Sequence, residues 1–212
     1  MNKSKDGSNG RFLKILMLGD SGVGKTSLIR LYSQNIVQSH TPPTVGLDIT
    51  SIDDTLKDGT KVCFLIFDTA GQEKFRSMAK TNYRHASGVV FVFAINDRNS
   101  FANVKKWVKD LKEINDTSSC ILVGNKADID KRVVTFSEGQ ALASDLGCLY
   151  FETSIFDAKR PPNALRINDI YRKLGDIVVT RLKELDIDRE KEQSHFKLSD
   201  VPVTNQGRCG RC

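Results

Sequence analysis

Gly19-Asp-Ser-Gly-Val-Gly-Lys-Thr26 is the stretch of sequence that decides the fold. It matches the pattern G-x-x-x-x-G-K-[ST], follows the apolar run Phe12–Leu18 and precedes a segment with helical periodicity. Its glycines let the backbone fold round phosphate oxygens, and its N–H groups and the helix N-terminus favour an anion. Lys25 is placed to reach the outer phosphates, and Thr26 to offer a hydroxyl to Mg²⁺. The stretch predicts a bound nucleoside triphosphate.

Apolar runs alternate with amphipathic segments along the rest of the chain. We predict strands over 12–18, 45–56, 62–67, 88–95, 120–123 and 149–151, and helices over 25–33, 100–115, 137–146 and 164–185. Ser100 and Ser137 are the predicted N-caps of two helices, and Asp58-Gly59 predicts a hairpin. The alternation indicates an α/β fold, a mostly parallel sheet with helices on both faces. Ligands of such sheets bind beyond the carboxyl ends of the strands.

A second motif follows the predicted strand at 120–123. Asn125-Lys-Ala-Asp128 offers a carboxylate that can accept two hydrogen bonds, from N1–H and the exocyclic amine of guanine. Adenine has no matching pair of donors. Asp128 therefore favours GTP or GDP as the ligand over ATP.

A third motif, Asp68-Thr-Ala-Gly-Gln-Glu73, follows the strand that ends at Phe67. Asp68 can hold Mg²⁺, the N–H of Gly71 can meet the γ-phosphate, and Gln72 can orient an attacking water. Thr44, in a loop flanked by prolines, can bind both Mg²⁺ and the γ-phosphate. These residue types predict hydrolysis of the nucleotide in addition to its binding.

Together the motifs resemble those of the Ras superfamily of small GTPases, and within it the Rab family. Thr44-Val-Gly-Leu-Asp48, Tyr83-Arg84 and the Ser100-Phe101…Trp107 segment stand in family order and at family spacing. The resemblance covers residues 11–182. It implies a three-layer P-loop GTPase domain with a six-stranded, mostly parallel sheet and one antiparallel edge strand.

The resemblance also implies a set of site residues and partners. It implies that Gln72, Lys25 and Thr44 take part in catalysis. It also implies that Thr26, Thr44 and Asp68 bind Mg²⁺. Nucleotide contacts are expected from Asp20, Ser21, Gly22, Val23, Gly24, Lys25, Thr26, Ser27, Thr44, Asp68, Gly71, Asn125, Lys126, Asp128, Ser154 and Ile155. Exchange factors, GTPase-activating proteins, effectors and a GDP-dissociation inhibitor or escort protein are the expected partners. We expect a monomer on the cytoplasmic face of an endomembrane, cycling with the cytosol.

Three regions depart from the family pattern. Val37 stands where most relatives stack an aromatic ring on guanine, and Thr153-Ser-Ile-Phe156 stands for Thr-Ser-Ala-Lys. Pro161-Pro162 follows, in a loop that is longer than usual. The positions of a three-aromatic effector surface hold Ile49, Phe67 and Asn82. These departures predict weaker base affinity or faster nucleotide exchange, and partners that cannot be transferred from a relative.

Composition excludes several other classes of protein. Hydrophobic residues make up 39% of the chain, which fits a soluble globular protein with a hydrophobic core. No apolar run approaches the roughly 18 residues of a membrane span. The net charge of +6 is mild and forms no dense basic stripe, so nucleic-acid binding is not expected. Cys63, Cys120 and Cys148 lie in or beside apolar segments and are expected to be reduced, buried thiols.

The two ends of the chain are polar. We expect a flexible N-terminus over 1–10, the GTPase domain over 11–185 and a flexible tail over 186–212. The tail has five basic and five acidic side chains and ends in Cys209-Gly-Arg-Cys212, a poor C-a-a-X box. It resembles the twin-cysteine ends of Rab proteins, which carry two geranylgeranyl groups. An unmodified tail and a C-x-x-C metal or redox pair remain alternatives.

Two other functions remain open at the level of sequence. A scaffold that holds nucleotide without hydrolysing it is favoured by Val37 and the Ser154-Ile155 segment, and opposed by Gln72 and Thr44. An ATP-using kinase of the same fold is opposed by Asp128. The chain shows no obvious internal arginine finger, so its own turnover is expected to be slow and to need a partner.

Overall fold

The computed structural model describes residues 10–36, 44, 47–69, 82–116, 118–156 and 164–199, with side chains up to residue 187. The strands are β1 Arg11–Leu18, β2 Leu47–Thr55, β3 Lys61–Thr69, β4 Gly88–Ala94, β5 Ser119–Asn125 and β6 Leu149–Glu152. The helices of the described residues are α1 Lys25–Gln34, α2 Arg98–Lys112, α3 Phe136–Leu146 and α4 Ile167–Ser199. All six predicted strands are present.

The six strands form one sheet in the order β2-β3-β1-β4-β5-β6. β2 lies at one edge and pairs antiparallel with β3, while the other neighbours run parallel. The order reverses direction at β1, so the carboxyl end of β1 opens onto a crevice between β3 and β4. The loop that carries Lys25 leaves from this end.

Helices cover both faces of the sheet. On one face, α2 and α3 pack on β4 and β5 in a buried cluster that includes Phe91, Trp107 and Leu142. On the other face, the ring of Tyr32 in α1 stacks on that of Tyr171 in α4, with centroids 4.6 Å apart. The predicted three-layer α/β fold is confirmed.

β4 is buried at every position, as its unbroken apolar sequence predicted. β2, by contrast, leaves Ile49 53% exposed beside its register partner Phe67. Ile49 and Phe67 are two of the three positions of the expected effector surface. An exposed apolar side chain therefore stands on the edge strand at that surface.

Both predicted N-caps were wrong by two or three residues. Asp97 caps α2 by accepting hydrogen bonds from the N–H groups of Asn99 and Ser100. Ser100 instead accepts from the N–H of Ala94. Thr135 caps α3 in a reciprocal capping box with Glu138, so this helix begins at Phe136.

α4 is longer than predicted and ends at Ser199. The chain divides into two units, Met1–Val178 and Val179–Cys212, with the division inside this helix. The predicted domain limits at 10 and 185 stay predictions. In the described residues, no helix combines the length and the apolar character that crossing a bilayer demands.

Substitution of Gly139 in α3 tests how closely this helix approaches the sheet. A Cβ there would lie 2.2 Å from Cζ of the buried Tyr150 ring. Alanine normally stabilises a helix interior by about 1 kcal/mol over glycine. We expect Gly139→Ala to destabilise the GDP-loaded protein by roughly 1–3 kcal/mol, because the Tyr150 ring packs against Phe93 and Phe136 and its hydroxyl is bonded to Glu152. Chemical denaturation measures this change.

Gln140→Ala is the matched control, because Gln140 is an exposed neighbour in the same helix. Its effect is expected within about 0.5 kcal/mol of zero. If Gly139→Ala is as stable as Gln140→Ala, the close approach of α3 to Tyr150 is wrong.

Candidate nucleotide-binding site

Two glycines fix the path of the loop between β1 and α1. Gly19 has φ 150°, and a Cβ there would lie 2.1 Å from the carbonyl oxygen of Val92. Gly24 has φ 100°, and a Cβ there would lie 2.3 Å from Nδ2 of Asn125. Any side chain at either position would strain the backbone and collide with a neighbouring strand. The loop thus wraps tightly at both ends.

The N-terminus of α1 opens directly from this loop. Gly24 is the N-cap residue, and no side chain caps the helix or adds an acidic group to its first turn. The first N–H groups of a helix lack partners within the helix, and the helix dipole is positive at that end. The exposed residues Ser21 and Gly22 lead into it. The backbone here is suited to an anion with several oxygens.

Lys25 places a buried ammonium group inside the loop. The residue is 5% exposed, and Nζ donates to the carbonyl oxygens of Gly19, at 2.8 Å, and Asp20, at 2.9 Å. Burial lowers the pKa of Lys25 to about 8, although the charges of Asp68 and Asp20 oppose this shift. Because these two acceptors are neutral carbonyl groups, a further anion near Lys25 would strongly stabilise its charged form.

Three side-chain oxygens converge beside Lys25. Oγ1 of Thr26 lies 2.7 Å from Oγ1 of Thr44 and donates to Oδ2 of Asp68 at 2.5 Å. Thr44 also donates to the same Oδ2 at 3.2 Å. Burial raises the pKa of Asp68, while the Thr26 hydrogen bond and the Lys25 charge oppose that rise. Oδ1 of Asp68 is buried and has no hydrogen-bond partner among the described residues.

This oxygen cluster fits a hard divalent cation. Hydroxyl and carboxylate oxygens are the ligands that Mg²⁺ takes, usually with only one or two carboxylates from the protein. The orphaned Oδ1 of Asp68 is a further acceptor that a cation or its water could satisfy. The donor set suits Mg²⁺ better than a soft metal.

The second motif lies at the carboxyl ends of β5 and β6. Nδ2 of Asn125 donates to the carbonyl oxygen of Val23 at 2.8 Å and so ties β5 to the phosphate loop. Oγ of Ser154 donates to Oδ1 of Asp128 at 2.5 Å and accepts from the N–H of Phe156 at 3.0 Å. Two segments that are distant in sequence therefore meet at the Asp128 carboxylate.

An ion pair that could not be predicted from the sequence connects the segment after β5 with β6. Arg132 makes a bidentate contact with Glu152, at 2.7 Å for each hydrogen bond, and Tyr150 donates to the same carboxylate. The N–H of Ala127 donates to the carbonyl oxygen of Thr153 at 3.0 Å. Nothing in the local pattern pairs an arginine with a glutamate 20 residues away, so only the fold could show this contact.

The structure brings the described members of the predicted site to one edge of the sheet. The loop residues follow β1, Asp68 lies in β3, Asn125 ends β5, and Lys126 and Asp128 follow it. Ser154 and Ile155 follow β6, and Thr44 reaches Thr26 by its hydroxyl. Val37, Gly71, Gln72, Pro161-Pro162, Cys209 and Cys212 lie outside the described residues.

Comparisons with known proteins agree with this geometry. The model of the Ras family matches residues 14–174. Ras-related protein RABE1d of Arabidopsis thaliana is 37% identical over 196 residues, covering 91% of this chain and 88% of the relative. Ras-related protein SEC4 of Saccharomyces cerevisiae is 38% identical over 173 residues, covering 80% and 76%. GTP-binding protein ypt2 of Schizosaccharomyces pombe is 34% identical over 202 residues, covering 94% and 95%.

The family match spans the sheet from β1 into α4 and so includes the phosphate loop and both other motifs. The three relatives align over most of both chains at 34% to 38% identity. This chain therefore belongs to the Ras family and, within it, to the Rab small GTPases of vesicle transport.

Proposed function

We propose that this Rab-family GTPase works as a GTP/GDP switch through the loop from Gly19 to Thr26. The observation that carries the proposal is the buried ammonium of Lys25, held beside an uncapped helix N-terminus. The loop backbone from Asp20 to Ser27 would bind the phosphates by its N–H groups, and Lys25 would neutralise the outer ones.

Thr26, Thr44 and Asp68 would hold Mg²⁺ beside those phosphates. Bound Mg²⁺ would neutralise charge that develops on the phosphate oxygens during hydrolysis. Thr44 belongs to a different segment from Thr26 and Asp68, and its hydroxyl reaches both. A γ-phosphate would therefore help to hold the Thr44 segment, and its loss would release it.

Asp128 would select guanine by accepting from N1–H and the exocyclic amine. The hydroxyl of Ser154 keeps the carboxylate oriented, and Asn125 joins this base site to the phosphate loop. Lys126, with φ 66°, holds a conformation that is uncommon for a residue with a side chain. Together with the backbone of Ile155, it would complete the contacts to the base.

Gln72 would orient the attacking water, and the N–H of Gly71 would meet the γ-phosphate. We therefore assign catalysis to Gln72, Lys25 and Thr44. These residues would act by positioning and charge stabilisation, because water would attack the γ-phosphate directly, with no covalent intermediate on the protein. Exchange factors and GTPase-activating proteins would set the timing, and effectors would bind the GTP state.

The C-terminus would attach this switch to a membrane. Cys209 and Cys212 lie within the last four residues, and the tail has no net charge to help binding to an anionic surface. One lipid chain gives only marginal attachment, whereas two give stable anchoring. We propose that both cysteines carry geranylgeranyl groups, with a monomeric GTPase domain at 11–185 and a tether at 186–212 that cycles between membrane and cytosol.

Single-turnover GTP hydrolysis tests the switch. Gln72→Leu is expected to slow intrinsic hydrolysis on the order of tenfold or more, because the water loses its orienting group. The affinity for GDP is expected to stay unchanged, since Gln72 has no role in holding the diphosphate. Equal inertness of wild type and variant, even with an activating protein present, would contradict hydrolysis and favour a scaffold.

Mass spectrometry of the C-terminal peptide from cells tests the anchor. We expect two geranylgeranyl groups, and a shift of the protein to the cytosol when both Cys209 and Cys212 are changed to Ser. Cys148→Ser is the matched control, because this free thiol lies in the GTPase domain. An unlipidated C-terminus in membrane-bound protein would overturn the anchor and leave the GTPase standing.

A further inference from the structure

The carboxylate of Asp20, the second residue of the phosphate loop, is hydrogen-bonded to helix α2. Oδ2 accepts from Nδ2 of Asn103 at 2.7 Å, and Oδ1 accepts from Nε1 of Trp107 at 2.8 Å. The two donors come from a helix more than 80 residues further along the chain. Each carboxylate oxygen thus has its own donor on α2.

The geometry of α2 explains how both donors reach one carboxylate. Asn103 and Trp107 are four residues apart, so they lie one above the other on the same helix face. Trp107 is 4% exposed and belongs to the buried cluster beneath the sheet, which fixes the direction of its N–H. Asp97 caps the start of the same helix and holds its first turn in place.

The main chain of Asp20 connects this contact to the phosphate site. Its carbonyl oxygen accepts from Nζ of Lys25 at 2.9 Å, while its carboxylate is held by α2. A carboxylate free to turn toward the loop would repel phosphates. Two donors on α2 hold this one by charge-assisted hydrogen bonds, which are about twice as strong as neutral ones.

We propose that Asn103 and Trp107 are positioning residues of the phosphate loop, which act through Asp20. They fix the second peptide of the loop in the conformation that presents its N–H groups and Lys25 to the nucleotide. α2 is thereby coupled to phosphate binding, although it contributes no group to the phosphate site. The inference rests on the proposed function of the loop and assigns Asp20 a role for its side chain as well as its backbone.

Trp107→Phe is the first test: it removes the N–H donor together with part of the indole volume, while an aromatic ring stays in the core. We expect fluorescently labelled GDP to dissociate from the full-length, Mg²⁺-loaded variant roughly tenfold faster than from wild type, since one hydrogen bond to a charged group is lost. Asn103→Ala is expected to act in the same direction. Hydrogen exchange of the amides from 20 to 26 is expected to quicken in both.

A double-mutant cycle separates positioning from general destabilisation. Asp20→Ala removes both acceptors, so adding Trp107→Phe to it is expected to change GDP dissociation no further. Arg98→Gln is the control on α2, because Arg98 bonds to Glu138 of α3 instead of to Asp20. Its GDP dissociation and its loop amide exchange are expected to match wild type.

The outcomes distinguish this inference from the proposed function. If wild type holds no GDP, the proposed function of the loop fails and this inference fails with it. If wild type holds GDP while Trp107→Phe and Asn103→Ala release it within twofold of the wild-type rate, the positioning role alone is wrong. It is also wrong if Arg98→Gln quickens release as much as they do, or if the Asp20 and Trp107 effects simply add.

Discussion

A buried ammonium group, that of Lys25, is the interaction on which the site depends. Its two main-chain acceptors, in Gly19 and Asp20, are neutral, and burial disfavours its charged form. Burying such a group costs free energy, which an anion bound beside it offsets. The glycines that bring the loop round Lys25, and the bare N-terminus of α1, are arranged for the same anion.

The other parts of the site are linked to this loop by side-chain contacts. The Thr26 side chain connects the loop to Asp68 and Thr44 by hydrogen bonds, and Asn125 connects it to the base-binding segment through the carbonyl oxygen of Val23. The Asp20 carboxylate connects the loop to α2. The loop is therefore the junction of four separate parts of the chain, so a change in any one of them can alter how tightly nucleotide is held.

Much of this could be predicted from the sequence, because the decisive patterns are local. The buried run of β4, the turn at Asp58-Gly59 and the glycine spacing of the loop depend on residues close together in the chain. Contacts between distant segments could not be predicted. The contacts of Arg132 with Glu152 and of Asp20 with Trp107 join segments that are distant in the chain. Their proximity depends on the order of the strands in the sheet, which the local sequence does not show. The helix starts were misjudged because several residues near each could serve as caps.

Proton uptake on GDP binding tests the role of the buried Lys25 most directly. With a pKa of about 8, Lys25 is charged at pH 7 and mostly neutral at pH 8.5 in the nucleotide-free protein. A phosphate favours the ammonium, so binding raises this pKa and draws in a proton where the group is neutral. Calorimetry in two buffers of different ionisation enthalpy should give roughly 0.5–0.8 proton per GDP at pH 8.5 and about 0.1 at pH 7. Equal uptake at both pH values would contradict the account.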